Sequence, residues 1–297
     1  MMQVIIKSLV FMGGVGAVFG AGLAVAARKF AVQVDPKVEA VRDALPGANC
    51  GACGFAGCQG YAEAVVKDAS VSPGLCAPGK ADVAALVARI TGKEAPEVIP
   101  MVAKIFCRGD DCKASRRFKY DGVKDCRAAI LVSGGDKSCL AACLGYGTCA
   151  RACPFGAITM TKDNLPVVDR EKCTACGVCV AACPKAIITL TPAAKMVHIR
   201  CSSRYKGPDV KKACKIGCIA CGLCVKGCPE KAITIENNLA IIDYEKCTHC
   251  ETCVTLCPQR TIEDLLDPSK ESGPRTKLAK KEAEAEKPEP VAKEAEE

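Results

Sequence analysis

The twelve residues CTACGVCVAACP, Cys173–Pro184, decide how this chain is read. Their cysteines are spaced C-x2-C-x2-C-x3-C, and a proline closes the run. Three thiolates from one tight loop, with a fourth one helical turn beyond, is the spacing that holds a [4Fe–4S] cluster, the fourth cysteine reaching a neighbouring cluster. The pattern returns as CIACGLCVKGCP at Cys218–Pro229 and as CTHCETCVTLCP at Cys247–Pro258. Disulfide frameworks do not repeat such spacings with a trailing proline. Zinc ribbons pair two separate C-x2-C knuckles and do not take three ligands from one loop. The repeats therefore imply one-electron redox chemistry at buried clusters.

Outward from these loops, Cys-Pro dipeptides at Cys153, Cys183, Cys228 and Cys257 mark four half-units, 30, 45 and 29 residues apart. The long middle interval divides them into two pairs. Within each pair, β-branched runs flank a polar turn: 157–160 and 166–169 about 162–164, then 232–235 and 239–242 about 236–238. Each reads as a hairpin. The expected fold is α+β, with two tandem two-cluster bacterial ferredoxin-like domains: 101–200, with an N-terminal extension, and 201–267. In the second domain Cys218, Cys221 and Cys224 should act with Cys257, and Cys247, Cys250 and Cys253 with Cys228. In the first, Cys173, Cys176 and Cys179 should join Cys153. The partner loop there carries Tyr146 where the second domain has Cys221. Cys139 is the expected replacement, giving Cys139, Cys143, Cys149 and Cys183.

Upstream, Leu9 to Ala27 is apolar throughout, close to the roughly 20 residues that span a bilayer, and Arg28 and Lys29 close it. Gly16 and Gly20 permit close packing against another membrane helix. A cleaved signal peptide is the alternative, with Ala24–Ala26 resembling a cleavage site. Clusters assembled in the cytoplasm argue for an anchor, and the flanking charge favours a cytoplasmic soluble part. Residues 1–29 are thus expected to be a transmembrane anchor. Asp35-Pro36 should cap a helix ending near Leu45. Cys50, Cys53, Cys58 and Cys76 follow at C-x2-C-x4-C-x17-C among glycines, with a helix over 59–69 and another over 81–90 ending at Gly92. This makes 30–95 a small helical [4Fe–4S] module, and 96–100 reads as a linker. The segment 268–297 is a charged tail rich in Lys, Glu, Ala and Pro, expected to be disordered.

Twenty-five cysteines, no Trp and seven Phe suit modules in which inorganic cores replace much of a hydrophobic core. Five cysteines remain: Cys107, Cys112, Cys126, Cys201 and Cys214. Four of them could hold a sixth cluster beside the five complete sets, leaving one spare. The formal charge of +8 counts cysteines as neutral, so anionic clusters would shift it, and no nucleic-acid-binding signature is present. There is no dinucleotide fingerprint, no P-loop and no nucleophile–base pair. His249 lies between Cys247 and Cys250 in a set already complete, and His198 sits on an expected strand.

Taken together, the apolar N-terminus, the Asn49–Cys58 run NCGACGFAGC with Cys76, and the loops behind it resemble the B component of the Rnf ion-translocating ferredoxin:NAD oxidoreductases over about 1–267. Gly134–Cys139 and Cys143–Cys149 are similar to the extended form of that family. The resemblance implies a membrane-anchored electron-transfer subunit of a translocase. It implies acceptance of electrons from soluble ferredoxin and delivery, through the Cys50–Cys76 module, to membrane subunits. Other membrane and peripheral subunits would carry flavins, NAD chemistry and ion transport. A polyferredoxin feeding a different membrane reductase or hydrogenase is the alternative.

Overall fold

The computed structural model describes residues 2–29 and 35–265; the expected tail 268–297 lies outside them. Helix α1, Met2–Lys29, contains a span, Ile6–Lys29, of mean hydropathy 2.1, long and apolar enough to cross a membrane. The large apolar side chains from Ile6 to Val25 are exposed, which suits a lipid environment better than water.

The first cysteine module is a three-helix unit. Helix α2, Pro36–Ala44, starts where the sequence says it should: Asp35 accepts the Lys37 amide at 2.8 Å and proline occupies the first turn. Helix α3 is Gly57–Lys67, and α4, Lys80–Thr91, ends on Gly92 in the left-handed region. Val38, Val41, Tyr61, Val65 and Val87 are buried together between them. The Tyr61 hydroxyl donates to Ser72 O at 2.9 Å, which satisfies the one polar atom this core takes in.

Beyond 100 the chain repeats one plan twice. In the first copy, hairpin β2 (Ile158–Met160) and β3 (Pro166–Val168) lies between the cysteine loops. A second pair closes the unit: β1 (Met101–Ile105) runs antiparallel to β4 (Ile188–Pro192), with Ala103 opposite Leu190. In the second copy the hairpin is β6 (Ile233–Glu236) and β7 (Leu239–Ile242), and the closing pair is β5 (Val197–Ile199) with β8 (Ile262–Asp264). The hairpins match the sequence pattern; the closing pairs join strands too far apart in sequence to be read from it. Short helices carry the later cysteines of the loops: α6 (Thr148–Ala152), α7 (Val178–Ala182), α9 (Leu223–Lys226) and α10 (Thr252–Leu256). Helix α5 (Cys126–Ala129) lies in the extension, and α8 (Gly207–Ala213) in the stretch joining the copies.

That extension straps the copies together. Ala114 bridges Cys214, the Ser115 amide donates to Ala213 O at 3.0 Å, and the Lys215 amide to Lys113 O at 2.9 Å. The Arg200 guanidinium reaches Ile105 O and Cys107 O, and the Ser202 hydroxyl donates to Phe106 O.

Candidate metal centres

The three regular loops share one backbone device. The residue before the second cysteine is left-handed in each: Ala175 at φ 56°, Ala220 at 52° and His249 at 60°. So is the residue after it: Gly177, Gly222 and Glu251. Two reversals flanking one thiol curl the loop into a concave nest of amides, a shape suited to an anionic core. The Cys-Pro half-units have their own device. The third residue after the cysteine is left-handed at Gly156, Ala186, Lys231 and Arg260. In three of the four, the next amide turns back to the sulfur: Ala157 to Cys153, Ala232 to Cys228 and Thr261 to Cys257, each at 3.4 Å.

Four cavities are walled by cysteines, four to each. One gathers Cys218, Cys221, Cys224 and Cys257, and a second Cys228, Cys247, Cys250 and Cys253. These groupings are the ones the spacing suggests. Burial first, and then the charge of Cys173, Cys176, Cys149 and Cys153, raises the Cys179 pKa, so these thiols stand near one another. Cys76 is raised likewise by burial and then by Cys58, Cys50 and Cys53. In that N-terminal module, Asn49 accepts the Cys58 amide at 2.8 Å. A Cβ on Gly57, at φ 84°, would stand 2.8 Å from the same Asn49 oxygen, so this turn needs glycine.

The third cavity departs from the sequence expectation. Cys143, Cys149 and Cys183 share it with Cys126, not with Cys139. Asp125 caps α5, accepting the Arg127 amide at 2.8 Å and pairing with Arg151 at 3.2 Å, while the Cys126 amide donates to Thr148 Oγ1 at 2.8 Å. These contacts fix Cys126 against the turn that carries Cys149. Tyr146 has turned away: its hydroxyl donates to Asp136 Oδ2 at 2.8 Å, and its ring lies 5.5 Å from that of Tyr120. Cys139 lines the fourth cavity with Cys107, Cys201 and Cys214. The five leftover cysteines therefore divide differently from the expectation. Cys107, Cys201 and Cys214 join Cys139, Cys126 moves to the loop of Cys143, and exposed Cys112 stands apart, 3.5 Å from Asp163 Oδ1.

The donor chemistry of these cavities fits an iron–sulfur core. Gly109 closes the Cys107 cavity; a Cβ there would sit 3.5 Å from both the Cys107 and the Cys214 sulfurs and 3.0 Å from Ala114 Cβ. Sulfur in this cavity already accepts amides, Gly109 and Cys143 to Cys107 at 3.3 and 3.4 Å, and Ser203 to Cys201 at 3.4 Å. Burial, then crowding by other thiols, pushes Cys179, Cys201 and Cys253 up to about 12 and Cys149 and Cys224 to about 11. Thiols so placed become thiolates only if positive charge enters among them. Among the described residues no group of three or more His, Cys, Asp or Glu is placed to hold a single metal ion. A four-iron core is larger than one ion and holds its thiolates farther apart.

Where the two ferredoxin-like copies meet, Glu263 receives Lys104 at 2.7 Å and Arg200 at 2.8 Å. Burial raises the Glu263 pKa, but Arg200 and Lys104 overcome it and hold the carboxyl at about 2; burial lowers Lys104 to about 8. Beside them His198 is pushed down to about 4, chiefly by burial. It is neutral, with Nε2–H donating to Lys195 O at 3.1 Å and Nδ1 accepting from the Tyr244 hydroxyl at 2.6 Å.

Comparison with known proteins supports the iron–sulfur reading. Residues 45–78 match a family described as "Putative Fe-S cluster", and residues 135–193 and 217–261 match two families described as 4Fe-4S dicluster domains. The chain is 49% identical over 267 residues to the B component of the proton-translocating ferredoxin:NAD(+) oxidoreductase complex of Clostridium ljungdahlii, covering 89% of this chain and 94% of the relative. It is 47% identical to the Na(+)-translocating counterpart of Acetobacterium woodii, covering 88% of this chain and 78% of that one. It is 41% identical to the B component of the ion-translocating oxidoreductase complex of Methanosarcina acetivorans, covering 89% and 99%. The chain therefore belongs to the B-component family of the Rnf-type ion-translocating oxidoreductase complexes, as their iron–sulfur electron-transfer subunit.

Proposed function

We propose that this chain carries single electrons from a reduced soluble ferredoxin, through six [4Fe–4S] sites, to membrane subunits of an ion-pumping ferredoxin:NAD oxidoreductase. Bound at these sites, a cluster supplies a centre that gains or loses one electron with no proton or bond change. Five of the ligand sets are Cys50, Cys53, Cys58, Cys76; Cys153, Cys173, Cys176, Cys179; Cys126, Cys143, Cys149, Cys183; Cys218, Cys221, Cys224, Cys257; and Cys228, Cys247, Cys250, Cys253. The sixth, Cys107, Cys139, Cys201 and Cys214, joins the two ferredoxin-like domains. The chain divides at 1–29, 30–95, 101–200, 201–267 and 268–297, except that β5, Val197–Ile199, pairs with β8 and so belongs with the second ferredoxin-like domain, moving that boundary to about 196; the soluble part is on the cytoplasmic side of the inner membrane.

The carrying observation is that the six sets stand in series. Cys253 feels the charge of Cys224, and Cys201 that of Cys218. The Cys143 amide donates to Cys107 Sγ at 3.4 Å. Cys179 feels Cys149, and Cys176 feels Cys50. Each set thus lies within electrostatic or hydrogen-bond reach of the next, and the order ends at the module that follows the membrane helix. The chain's own residues fix the spacing, exclude water, and aim amides at sulfur, which tunes potential.

The test is anaerobic reconstitution with metal analysis. Six sites give about 24 iron and 24 sulfide; a plateau near 20 would remove the junction site, and stoichiometric zinc would sink the redox reading of that site. In the assembled complex, Cys53→Ala should leave ferredoxin able to reduce the distal sites yet stop ferredoxin-dependent NAD reduction. Normal turnover would rule out this module as the exit.

A further inference from the structure

Among the cysteines that line the cavities, Cys221 and Cys250 are the exposed ones. They hold equivalent positions in the two loops of the second domain: a carrier at Cys250 would enter at the far end of the series, and one at Cys221 at its second site, with the Cys228–Cys253 site beside the entry as a reservoir that fills from it. Their surroundings differ. From Asp243 to Glu251 the chain carries three carboxylates and one cation, Lys246. From Arg204 to Lys226 it carries six cations and one carboxylate, Asp209.

We propose that the Cys221 face is the docking surface for an acidic electron-carrier protein, the ferredoxin of the proposed function; the inference rests on that reading and adds the face. Leu223 (45% exposed) and Ile235 (40%) flank Cys221 with apolar surface. Gly222 lies against Ile235, its Cβ position 3.8 Å from Ile235 Cδ1, so strand β6 is seated on the cysteine loop. The 206–207 turn is seated there too, the Gly207 Cβ position lying 3.1 Å from Ile219 O. Asn238 donates to Arg204 O at 3.2 Å, which holds Arg204 beside the β6–β7 turn. Arg204, Lys206 and Lys226 are all exposed around the apolar pair. Lys211 and Lys212 extend the positive surface along α8. Facing carboxylates are Asp209 on α8 and Glu236 at the end of β6.

A small apolar centre ringed by one sign of charge is the build of a transient docking site, in which the rim steers approach and the centre excludes water. Its complement is a partner with an acidic rim about its own exposed redox centre. The transfer oxidises the carrier by one electron and reduces this chain by one, and no proton or bond changes.

The experiment is stopped-flow reduction of the full-length, cluster-loaded chain in its complex by a reduced two-cluster ferredoxin. Arg204→Glu/Lys206→Glu/Lys226→Glu should slow the second-order rate by about tenfold or more at low salt and flatten its salt dependence. Dithionite should still reduce the same number of sites. Lys211→Glu/Lys212→Glu, away from the cysteine loop, should slow it by a smaller factor and answers the question if the triple variant loses iron. Lys246→Glu, on the Cys250 side, should change nothing. If ferredoxin reduces the wild-type chain and the variants equally fast, this face is wrong and the proposed function stands. If dithionite reduces the wild-type chain and ferredoxin does not, the proposed function falls and the docking face with it.

Discussion

Loops 143–149 and 218–224 follow one path with different ligands along it. Gly145 and Gly147 take the left-handed turns that Ala220 and Gly222 take, and each loop runs into a short helix bearing its last cysteine. At the middle position Cys221 points to the cavity mouth. Tyr146 turns instead to Asp136, in a network where Arg116 joins Asp136 to Asp111 and the buried Lys137 ammonium meets Asp111 at 2.6 Å. Cys126, seventeen residues before Cys143, lines the cavity at which that thiol is missing, and is the replacement proposed above. The loop's shape is set by its backbone, and a ligand can be imported when caps and hydrogen bonds hold it in place.

The largest effects come from breaking that import. With the ligand sets proposed above, Cys126→Ala and Cys139→Ala should each remove about four iron and four sulfide, and the double variant about eight, because the two thiols serve different sites. Cys112→Ala should remove none. Were Cys139 the ligand of the 143–149 loop and Cys126 the spare cysteine, Cys126→Ala would lose none and the double variant about four; were Cys126 in the sixth set instead, Tyr146→Cys would not rescue Cys126→Ala. Returning the thiol to its regular place sharpens the comparison: Cys126→Ala/Tyr146→Cys should regain the lost iron. Failure to do so, with the chain still folded, would mean that the 143–149 loop does not share the geometry of 218–224.

The two loops also differ in what presses on them. A Cβ on Gly145, at φ 83°, would stand 2.6 Å from Asn164 O, and a backbone carbonyl in a turn cannot easily yield. Gly145→Ala should therefore cost about 3 kcal/mol and shorten the thermal half-life of the first domain's clusters. Ala220→Gly, at the equivalent residue, should stay within about 0.5 kcal/mol. Equal effects at the two positions would show that Asn164 retreats.

This contrast explains what the sequence disclosed. Local spacing carried the loops, the hairpins and the helix caps, since each is specified within about a dozen residues, as with Asp35-Pro36 and Gly92. The strand pairs 101–105 with 188–192 and 197–199 with 262–264 were illegible because their partners lie some 65 to 90 residues away with no local signal. Cys139 reads as a loop ligand because its distance from Cys143 imitates one, whereas the fold sets it in the wall of the Cys107 cavity. Cys126 carried one faint sign, the Asp125 cap in front of it, which marks a helix start and says nothing about which site the thiol enters. The Cys107–Cys214 grouping depends on Ala114 meeting Cys214, a contact made by tertiary packing alone.

A smaller effect is expected at Tyr146 itself. Tyr146→Phe removes the hydrogen bond to Asp136, a fully buried carboxylate that keeps Arg116. The cost should be about 1 kcal/mol with full iron retained. Loss of a cluster in this variant alone would make the tyrosine a participant in the site.

The smallest effect carries the comparison to the last loop. His249 occupies the left-handed position held by Ala175 and Ala220 in the other regular loops and by Gly145 in the variant one. A side chain there is strained, and among the described residues its buried Nε2 has no hydrogen-bond partner. Burial also lowers its pKa, so the ring stays neutral and has no charge to offer the site. His249→Gly should therefore remove backbone strain and an unpaired polar atom, offset in part by the added freedom of glycine in the unfolded chain. The net gain should be about 0.5–1 kcal/mol, read as slower bleaching of the cluster absorbance on heating, with iron content unchanged. Faster bleaching would mean that the imidazole shields the Cys250 site from water more than its backbone strains it. The exposed Cys250 thiol would then be protected by a side chain that Cys221, flanked by Ala220 and Gly222, does without.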